Sequence, residues 1–436
     1  MYTKTACVPA RNSDRQKDLD HGVSLSTVSR FWEKLQTASR SGQAAGGRGG
    51  DTDYRLLVPL LSTSVIIQTV YAIVRVTTSY RAIELNLPVV WIGIISAVFA
   101  IFPMLLAVPL GRMLDRGRDA QVAWLGSGLL VLACAGFCFW ASSVVALLVL
   151  TALFGIAHLF LMASQQMLCI RVAGPRGRDA VFGNYVVSSA IGQGLGPYVI
   201  AWLGGSAMLP PTGTLFAFAL GTAMISLVTA AAIRPAPKHT LPTTSREVVP
   251  VRTLLRQRGL MAVLVASVIT ITSQDLLTIY LPLLGADNNI NVRDIGALLT
   301  VRSVASLISR LGYTRVLRLI ARQPLTLISM SGAAIGFACF ALPIPLSAMY
   351  VAITLLGFSL GIATTLSLTN VVDLASAAAM GTVMSLRITG NRLGQAALPF
   401  LASLIAAAGG VGGIFVIIAL CLAASGATVH FNRQDA

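Results

Sequence analysis

Five charged residues stand inside long apolar stretches of the sequence, where charges are rare. They are four arginines and one acid: Arg75, Arg302, Arg387, Arg392 and Asp275. A charge at the centre of a bilayer costs from about 3 to more than 10 kcal/mol unless it faces a cavity or a partner, so it usually marks a functional site. Asp275 is the only acid well inside an apolar stretch, and its carboxyl group can exchange a proton. The sequence therefore predicts proton coupling at Asp275. The alternative is a permanent pairing of Asp275 with an arginine that holds two helices together.

The same residues predict the charge of a bound solute. Four arginines against one aspartate leave an excess of positive charge inside the apolar stretches. Because the planar guanidinium group pairs well with carboxylates, we expect an anionic or carboxylate-bearing substrate held by Arg387, Arg302 and Arg75. Two arginines have simpler alternatives. Arg75 could extend to the lipid headgroups, and Arg392 could donate only to backbone carbonyl groups.

Uncharged polar side chains extend this candidate site. His158 and Gln165 are seven residues apart and therefore lie on one face of a helix. His158 either relays protons or is a packed histidine with satisfied hydrogen bonds. Tyr280 is near the end of an apolar stretch, where it either anchors the helix at the membrane interface or lines the site. We predict that all three contribute to substrate binding.

Twelve apolar segments between Leu56 and Phe431 must position these groups. A segment crosses the hydrocarbon layer with roughly 20 apolar residues, and among single segments only a helix satisfies its own backbone there. The chain has 436 residues, of which 55% are hydrophobic and 11% are charged, whereas soluble domains carry about 25% charged residues. The sequence therefore predicts an all-α polytopic membrane protein with 12 transmembrane helices and excludes a soluble globular protein.

The distribution of basic residues predicts the orientation in the membrane. Of the 32 Lys and Arg residues, only Arg81 and Arg293 fall in gaps on one side and four lie inside spans, which leaves 26 on the side of the two termini. By the positive-inside rule both termini are cytoplasmic, and we expect a multi-pass protein of the cytoplasmic (inner) membrane. The net charge of +16 then faces lipid headgroups, and no nucleic-acid partner is expected.

The apolar segments fall into two similar halves of six. Arg75-x-x-Thr78-x-Tyr80 recurs as Asp275-x-x-Thr278-x-Tyr280 at an offset of 200, and Gly183, Gly192 and Gly196 recur as Gly381, Gly390 and Gly394 at an offset of 198. Parallel halves of this kind place a substrate site between them, near the midplane. The predicted organisation is a cytoplasmic N-terminal tail (1–54), a first six-helix bundle (55–233), a cytoplasmic linker (234–259), a second six-helix bundle (260–430) and a cytoplasmic C-terminus (431–436).

Two short motifs accompany the repeat. The loop motif is Gly111-Arg-Met-Leu-Asp115-Arg116-Gly117-Arg118, and the glycine–proline motif is Gly183-x8-Gly192-x-x-x-Gly196-Pro197. The loop motif resembles the signature G-x-x-x-D-R-x-G-R of the major facilitator superfamily, without the residue between Arg116 and Gly117. The glycine–proline motif resembles the antiporter signature of exporters in that superfamily, except that Ile200 and Ala201 stand where two glycines follow.

The resemblance covers about residues 56–430 and implies a fold and several roles. It implies two pseudo-symmetric six-helix bundles, usually monomeric, with spans 1, 4, 7 and 10 around a central cavity. It also implies that the loop motif is a conformational latch between the halves. The alternative is a tight basic turn. The glycine–proline motif would indicate an exporter, the alternative being helix packing alone.

These features together predict a secondary active transporter that moves a small organic solute by alternating access, as proton-coupled efflux. Two alternatives stay open: a proton symporter that imports a small organic anion, and a membrane sensor that does not transport. Neither a G-x-x-x-x-G-K-[ST] phosphate loop nor an H-E-x-x-H metal sequence occurs. We therefore expect no ATP-driven transport, no cofactor, no metal site and no enzymatic activity.

Overall fold

The chain forms a bundle of long helices. The structure is a computed structural model that describes residues 54–172, 178–231, 254, 257, 259–374 and 380–434. In that part of the chain the structure contains no strand. The helices are α1 (Tyr54–Glu84), α2 (Val89–Asp115), α3 (Asp119–Trp140), α4 (Val144–Val172), α5 (Arg178–Gly204), α6 (Thr212–Ala231), α7 (Leu260–Asp287), α8 (Val292–Leu319), α9 (Arg322–Phe340), α10 (Leu346–Leu374), α11 (380–409) and α12 (411–434). Gly410 separates the last two with φ 76° and ψ 169°, a backbone conformation that is essentially confined to glycine.

The length and composition of these helices fit the predicted membrane spans. Eleven of the twelve described helices are long and apolar enough to cross a bilayer. The remaining helix, α11, carries Arg387 and Arg392. Most of the predicted tail (1–54) and of the predicted linker (234–259) lie outside the described residues, so the domain boundaries stay predictions.

The packing of the first half, α1–α6, recurs in the second half, α7–α12. In the first half α1 packs on α5, α2 on α4 and α3 on α6. The corresponding pairs in the second half are α7 with α11, α8 with α10 and α9 with α12. The halves meet where α1 contacts α7, α2 contacts α11 and α5 contacts α8. This pattern confirms the predicted pair of pseudo-symmetric six-helix bundles.

Two glycines allow the halves to approach closely, each one turn into its helix. A Cβ atom on Gly93 of α2 would lie 2.5 Å from the Pro399 carbonyl oxygen of α11, and one on Gly296 of α8 would lie 2.7 Å from the Pro197 carbonyl oxygen of α5. The two crossings are equivalent, since positions 197 and 399 differ by 202. The predicted register of 198 between α5 and α11 holds where these helices pack inside their own halves, because Gly196 faces Ala72 of α1 and Gly394 faces Thr272 of α7.

Both crossings lie near the face of the bundle opposite Tyr54 and Gln434, the first and last described residues. We call this the distal face, and the other the face with the termini. There the backbone N–H groups of Val292 and Arg293, at the start of α8, donate to the carbonyl groups of Ala207 (2.9 Å) and Gly205 (3.0 Å) in the α5–α6 connection. Main-chain hydrogen bonds thus join the two halves directly, and the structure is closed at the distal face.

We predict that Gly296→Ala lowers the free energy of unfolding by about 1–3 kcal/mol, because the added methyl group overlaps backbone atoms of α5. Thermal unfolding of the purified protein in detergent micelles measures the effect. The control is Gly221→Ala, where no atom lies within 4 Å of the new Cβ. Equal melting temperatures for the two variants would contradict the close approach of α5 and α8.

Candidate functional site

Asp275 lies near the middle of α7, where its carboxylate accepts hydrogen bonds from both halves. Gln395 of α11 donates through Nε2 to Oδ2 (2.6 Å), and the Tyr71 hydroxyl of α1 donates to Oδ1 (3.4 Å). Arg392 in turn donates through a terminal nitrogen to Oε1 of Gln395 (3.2 Å). No arginine in the described part of the chain forms an ion pair with Asp275. The direct carboxylate–arginine pairing that was the alternative to proton coupling is therefore absent there, and Gln395 lies between Asp275 and Arg392.

An aromatic stack continues from Tyr71 into the first half. The Tyr71 ring stacks on His158 of α4 at 4.6 Å between centroids, and His158 lies 5.7 Å from Phe99 of α2. The Arg75 guanidinium carbon is 4.6 Å from the centroid of the Phe99 ring, within the range of a cation–π contact. Arg75 is only 7% exposed, so the alternative in which it extends to the headgroups is wrong.

The pseudo-symmetry places two different charge arrangements at equivalent positions. Arg75 of α1 corresponds to Asp275 of α7, at the predicted offset of 200. Phe99 and Arg302 also correspond, since Gly155 of α4 packs on the Phe99 backbone and Gly357 of α10 packs on the Arg302 backbone. The first half therefore holds a cation over an aromatic ring where the second half holds a carboxylate and a guanidinium group.

A cleft between the halves contains two guanidinium groups. Arg302 and Arg310 of α8 line it together with Gln193 of α5 and Gln274 of α7. Arg302 donates to the backbone carbonyl of Gln274 (3.4 Å), while the buried Nε of Arg310 has no hydrogen-bond partner among the described residues. The cleft has a volume of about 10 Å³, which is room for about one water molecule, so the surrounding helices nearly close it in this structure.

Arg310 is a candidate site residue that the sequence does not single out, because it counts among the 26 basic residues on the side of the termini. In the structure it lies inside α8, two turns beyond Arg302 and still in the same cleft. Two residues that are eight positions apart lie close to the same face of a helix. The spacing between Arg302 and Arg310 therefore indicates that they can line one cleft.

The other predicted binding residues are not all in this cleft. Arg387 donates to the Ser367 hydroxyl of α10 (3.2 Å), nearer the face with the termini, and its buried Nε has no partner among the described residues. His158 and Gln165 are 7% and 1% exposed, and none of their side-chain nitrogen and oxygen atoms has a hydrogen-bond partner there. A buried polar group without a partner costs about 1–3 kcal/mol. These atoms are therefore available to water or to a ligand.

Tyr280 occupies a different place from either prediction. It is fully buried, and its hydroxyl donates to the carbonyl of Pro399 (2.8 Å) at the crossing of α2 and α11. It lines neither the cleft around Arg302 nor the one around Arg75. Tyr280 is therefore a packing residue that joins α7 to α11. It neither anchors the helix at the membrane interface nor lines a cleft.

The glycine–proline motif packs α5 against α1. A Cβ on Gly192 would lie 2.7 Å from Cβ of Gln68, and one on Gly196 would lie 2.5 Å from Cβ of Ala72, whereas Gly183 faces open space. Pro197 has no N–H group, so the carbonyl of Gln193 loses its helical partner. The Ser303 hydroxyl of α8 lies 3.4 Å from that carbonyl, at the outer limit of a hydrogen bond. Its shorter bond is to the carbonyl of Leu299 in its own helix (2.9 Å).

The loop motif forms the end of α2 and the turn that follows. Gly117 has φ 77°, a left-handed conformation that favours glycine, and its N–H donates to the carbonyl of Leu114 (2.9 Å). Arg116 and Arg118 are exposed, and Gly111 has open space around its Cα. The side chain of Asp115 lies outside the described part of the structure, so the latch stays a prediction.

Comparisons with known proteins agree with this architecture. The family model of the Major Facilitator Superfamily matches residues 60–287 and 263–434, and the chain therefore belongs to that superfamily. No curated protein sequence matches the chain.

Solved transporter structures share its fold. The nucleoside transporter NupG is similar with a TM-score of 0.71 and 11% sequence identity, over 87% of this chain and 99% of NupG. The structure of a point mutant of NupG gives the same TM-score at 13% identity. The human organic anion transporter MFSD10 (TETRAN) has a TM-score of 0.62 and 15% identity, over 86% of this chain and 99% of MFSD10. The chain is thus a multi-pass membrane protein with the fold of secondary transporters of small solutes.

We expect Tyr280→Phe to lower the free energy of unfolding by about 1 kcal/mol through loss of the hydrogen bond to Pro399, and to leave the KM of transport unchanged. Melting temperature and transport kinetics are the two measurements, with the exposed Tyr198→Phe as the control. A raised KM without a loss of stability would place Tyr280 in the substrate site instead.

Proposed function

We propose that this superfamily member is a proton-coupled transporter of a small organic anion. Asp275 carries the proton, and Arg302 and Arg310 bind the anion in the cleft between the halves. The observation that supports this proposal most strongly is the charge balance of the interior. Five guanidinium groups (Arg75, Arg302, Arg310, Arg387 and Arg392) accompany one central carboxylate, which none of them contacts directly in the described part of the chain.

The uncompensated charge favours a substrate that supplies the missing negative charge. Guanidinium groups bind carboxylates with two parallel hydrogen bonds, and Arg310 has a buried N–H without a partner among the described residues. The polar lining of Gln193, Ser303 and Ser306 adds donors and acceptors for the uncharged part of a solute. One structural neighbour is named as an organic anion transporter, so this fold can carry such a substrate.

The position of Asp275 among these cations determines how proton and anion are coupled. An ionised Asp275 lowers the positive potential of the interior and repels an anion, whereas a protonated Asp275 does neither. Proton and anion therefore stabilise each other's binding, and both cross the membrane in the same direction. An inward proton gradient then drives import, which the sequence analysis held as the alternative to efflux.

Efflux is the second candidate, and the glycine–proline motif favours it. The contacts of Gly192 and Gly196 with α1 give the motif a packing role that serves either direction. The charge arrangement supports symport, since an antiporter requires the proton to displace the substrate. In our proposal the face with the termini is cytoplasmic, in agreement with the excess of basic residues on that side.

Asp275→Asn should uncouple transport, because an amide cannot exchange the proton. Proteoliposomes that contain the purified protein are assayed with a panel of labelled organic acids under an inward pH gradient. The variant is expected to accumulate the acid only to the level seen without a gradient, while exchange of labelled for unlabelled acid persists. Gradient-driven accumulation equal to that of the wild type would exclude Asp275 as the proton site.

Arg302→Gln tests the anion site in the same vesicles. Loss of a hydrogen bond to a charged group costs about 1.5–3 kcal/mol, which corresponds to a KM raised roughly tenfold to a hundredfold. The matched control is Arg318→Gln, which removes an exposed guanidinium group at the end of the same helix, α8. An unchanged KM in Arg302→Gln would contradict anion binding at this arginine.

A further inference from the structure

Gln395 is the one residue, in the described part of the chain, that contacts both the central carboxylate and an interior guanidinium group. Its Nε2 lies 2.6 Å from Oδ2 of Asp275, and its Oε1 lies 3.2 Å from a terminal nitrogen of Arg392. An ionised carboxylate only accepts hydrogen bonds and a guanidinium group only donates them. This orientation of the amide, with nitrogen towards Asp275 and oxygen towards Arg392, is therefore the only one that satisfies both neighbours while Asp275 is ionised.

We propose that Gln395 is a positioning residue that transmits the protonation of Asp275 to Arg392 by a flip of its amide group. This inference rests on the proposed role of Asp275 as the proton site and goes beyond it, because it assigns a physical link between the proton and a cation of the interior. When Asp275 is ionised, Gln395 holds Arg392. When Asp275 is protonated, the flipped amide releases Arg392 from this hydrogen bond.

The flip follows from the hydrogen-bond donor that a carboxyl group gains when it is protonated. Its new O–H group on Oδ2 needs an acceptor, and the Gln395 amide carbonyl, once rotated, lies at the position that Nε2 occupied. The amide nitrogen then points at Arg392. Two donors face each other in that arrangement, so the guanidinium group of Arg392 must turn away from Gln395.

The other groups around Asp275 do not offer an equal acceptor. The Tyr71 hydroxyl of α1 is 3.4 Å from Oδ1, the outer limit of a hydrogen bond. The other titratable or charged groups nearby are Arg75 of α1, His158 of α4 and Arg302 of α8, and Arg302 is engaged with the carbonyl of Gln274. Arginines cannot accept, and the Thr364 hydroxyl of α10 is engaged with Gln274 (2.7 Å). The ring nitrogens of His158 form no hydrogen bond to Asp275 among the described residues. Gln395 is thus the acceptor best placed for the proton.

Infrared difference spectroscopy tests this link without a substrate. The purified full-length protein in detergent micelles is titrated with acid. The carboxyl band of protonated Asp275 is identified by its loss in Asp275→Asn, and the guanidinium band of Arg392 is identified with Arg392→Lys. In the wild type we expect the carboxyl band to appear and the guanidinium band to shift with one midpoint. Gln395→Met keeps the length of the side chain, but the methionine side chain has no hydrogen-bond donor and only a weak acceptor. This variant should retain the carboxyl band and lose the guanidinium shift.

Three results would overturn the inference, and they distinguish a failure of the Gln395 link from a failure of the proton site. A wild-type carboxyl band without a guanidinium shift, or an equal shift in Gln395→Met, would leave Asp275 as the proton site and remove Gln395 from the coupling. The absence of any carboxyl band that depends on Asp275 would refute the proton site itself, and the inference with it. Should Gln395→Met not fold, the comparison of wild type with Arg392→Lys still decides whether Arg392 responds to the proton.

Discussion

The placement of five guanidinium groups and one carboxylate inside a bundle of apolar helices is the constraint on which this structure depends. Each of the four arginines with an identified contact binds a different kind of group. These are the face of Phe99 for Arg75, a backbone carbonyl for Arg302, a hydroxyl for Arg387 and an amide oxygen for Arg392. All four partners are formally uncharged, so they satisfy donors without neutralising charge. The interior keeps a positive potential that an anionic solute would compensate.

The pseudo-symmetric scaffold concentrates this chemistry in the second half. Both halves use the same helix pairings and the same glycine crossing, yet equivalent positions hold Arg75 and Phe99 on one side and Asp275 and Arg302 on the other. The first half adds Tyr71 to the carboxylate and Gln193 to the cleft. The proton site and the anion site therefore each contain residues of both halves. A relative movement of the halves would change the two sites together.

The sequence predicted the scaffold well because its signals are physical and coarse. Membrane thickness fixes the length of the apolar segments, and the cost of a charge in hydrocarbon makes Asp275 and the interior arginines conspicuous. The family model and the fold then confirmed the superfamily that the two motifs resembled.

The details of the candidate site were less accessible, because they depend on which way a side chain faces. Its position near the end of an apolar run assigns Arg310 to the membrane surface, whereas the packing of α8 against α5 and α10 places it in the cleft. Tyr280 was predicted near the site and instead bonds to the carbonyl of Pro399. Gln395 is an ordinary polar residue in sequence, and its contact with Asp275 across 120 positions exists only after the second half has folded.

The central claim is that proton and anion bind together, with Asp275 protonated in the loaded state. Its most direct test is the exchange of protons with a weakly buffered solution when the neutralised salt of a transported organic acid is added to the purified protein. Our account predicts that the wild type takes up protons on binding the anion and that Asp275→Asn does not. Release of protons by the wild type, as displacement by an antiported substrate requires, would contradict it.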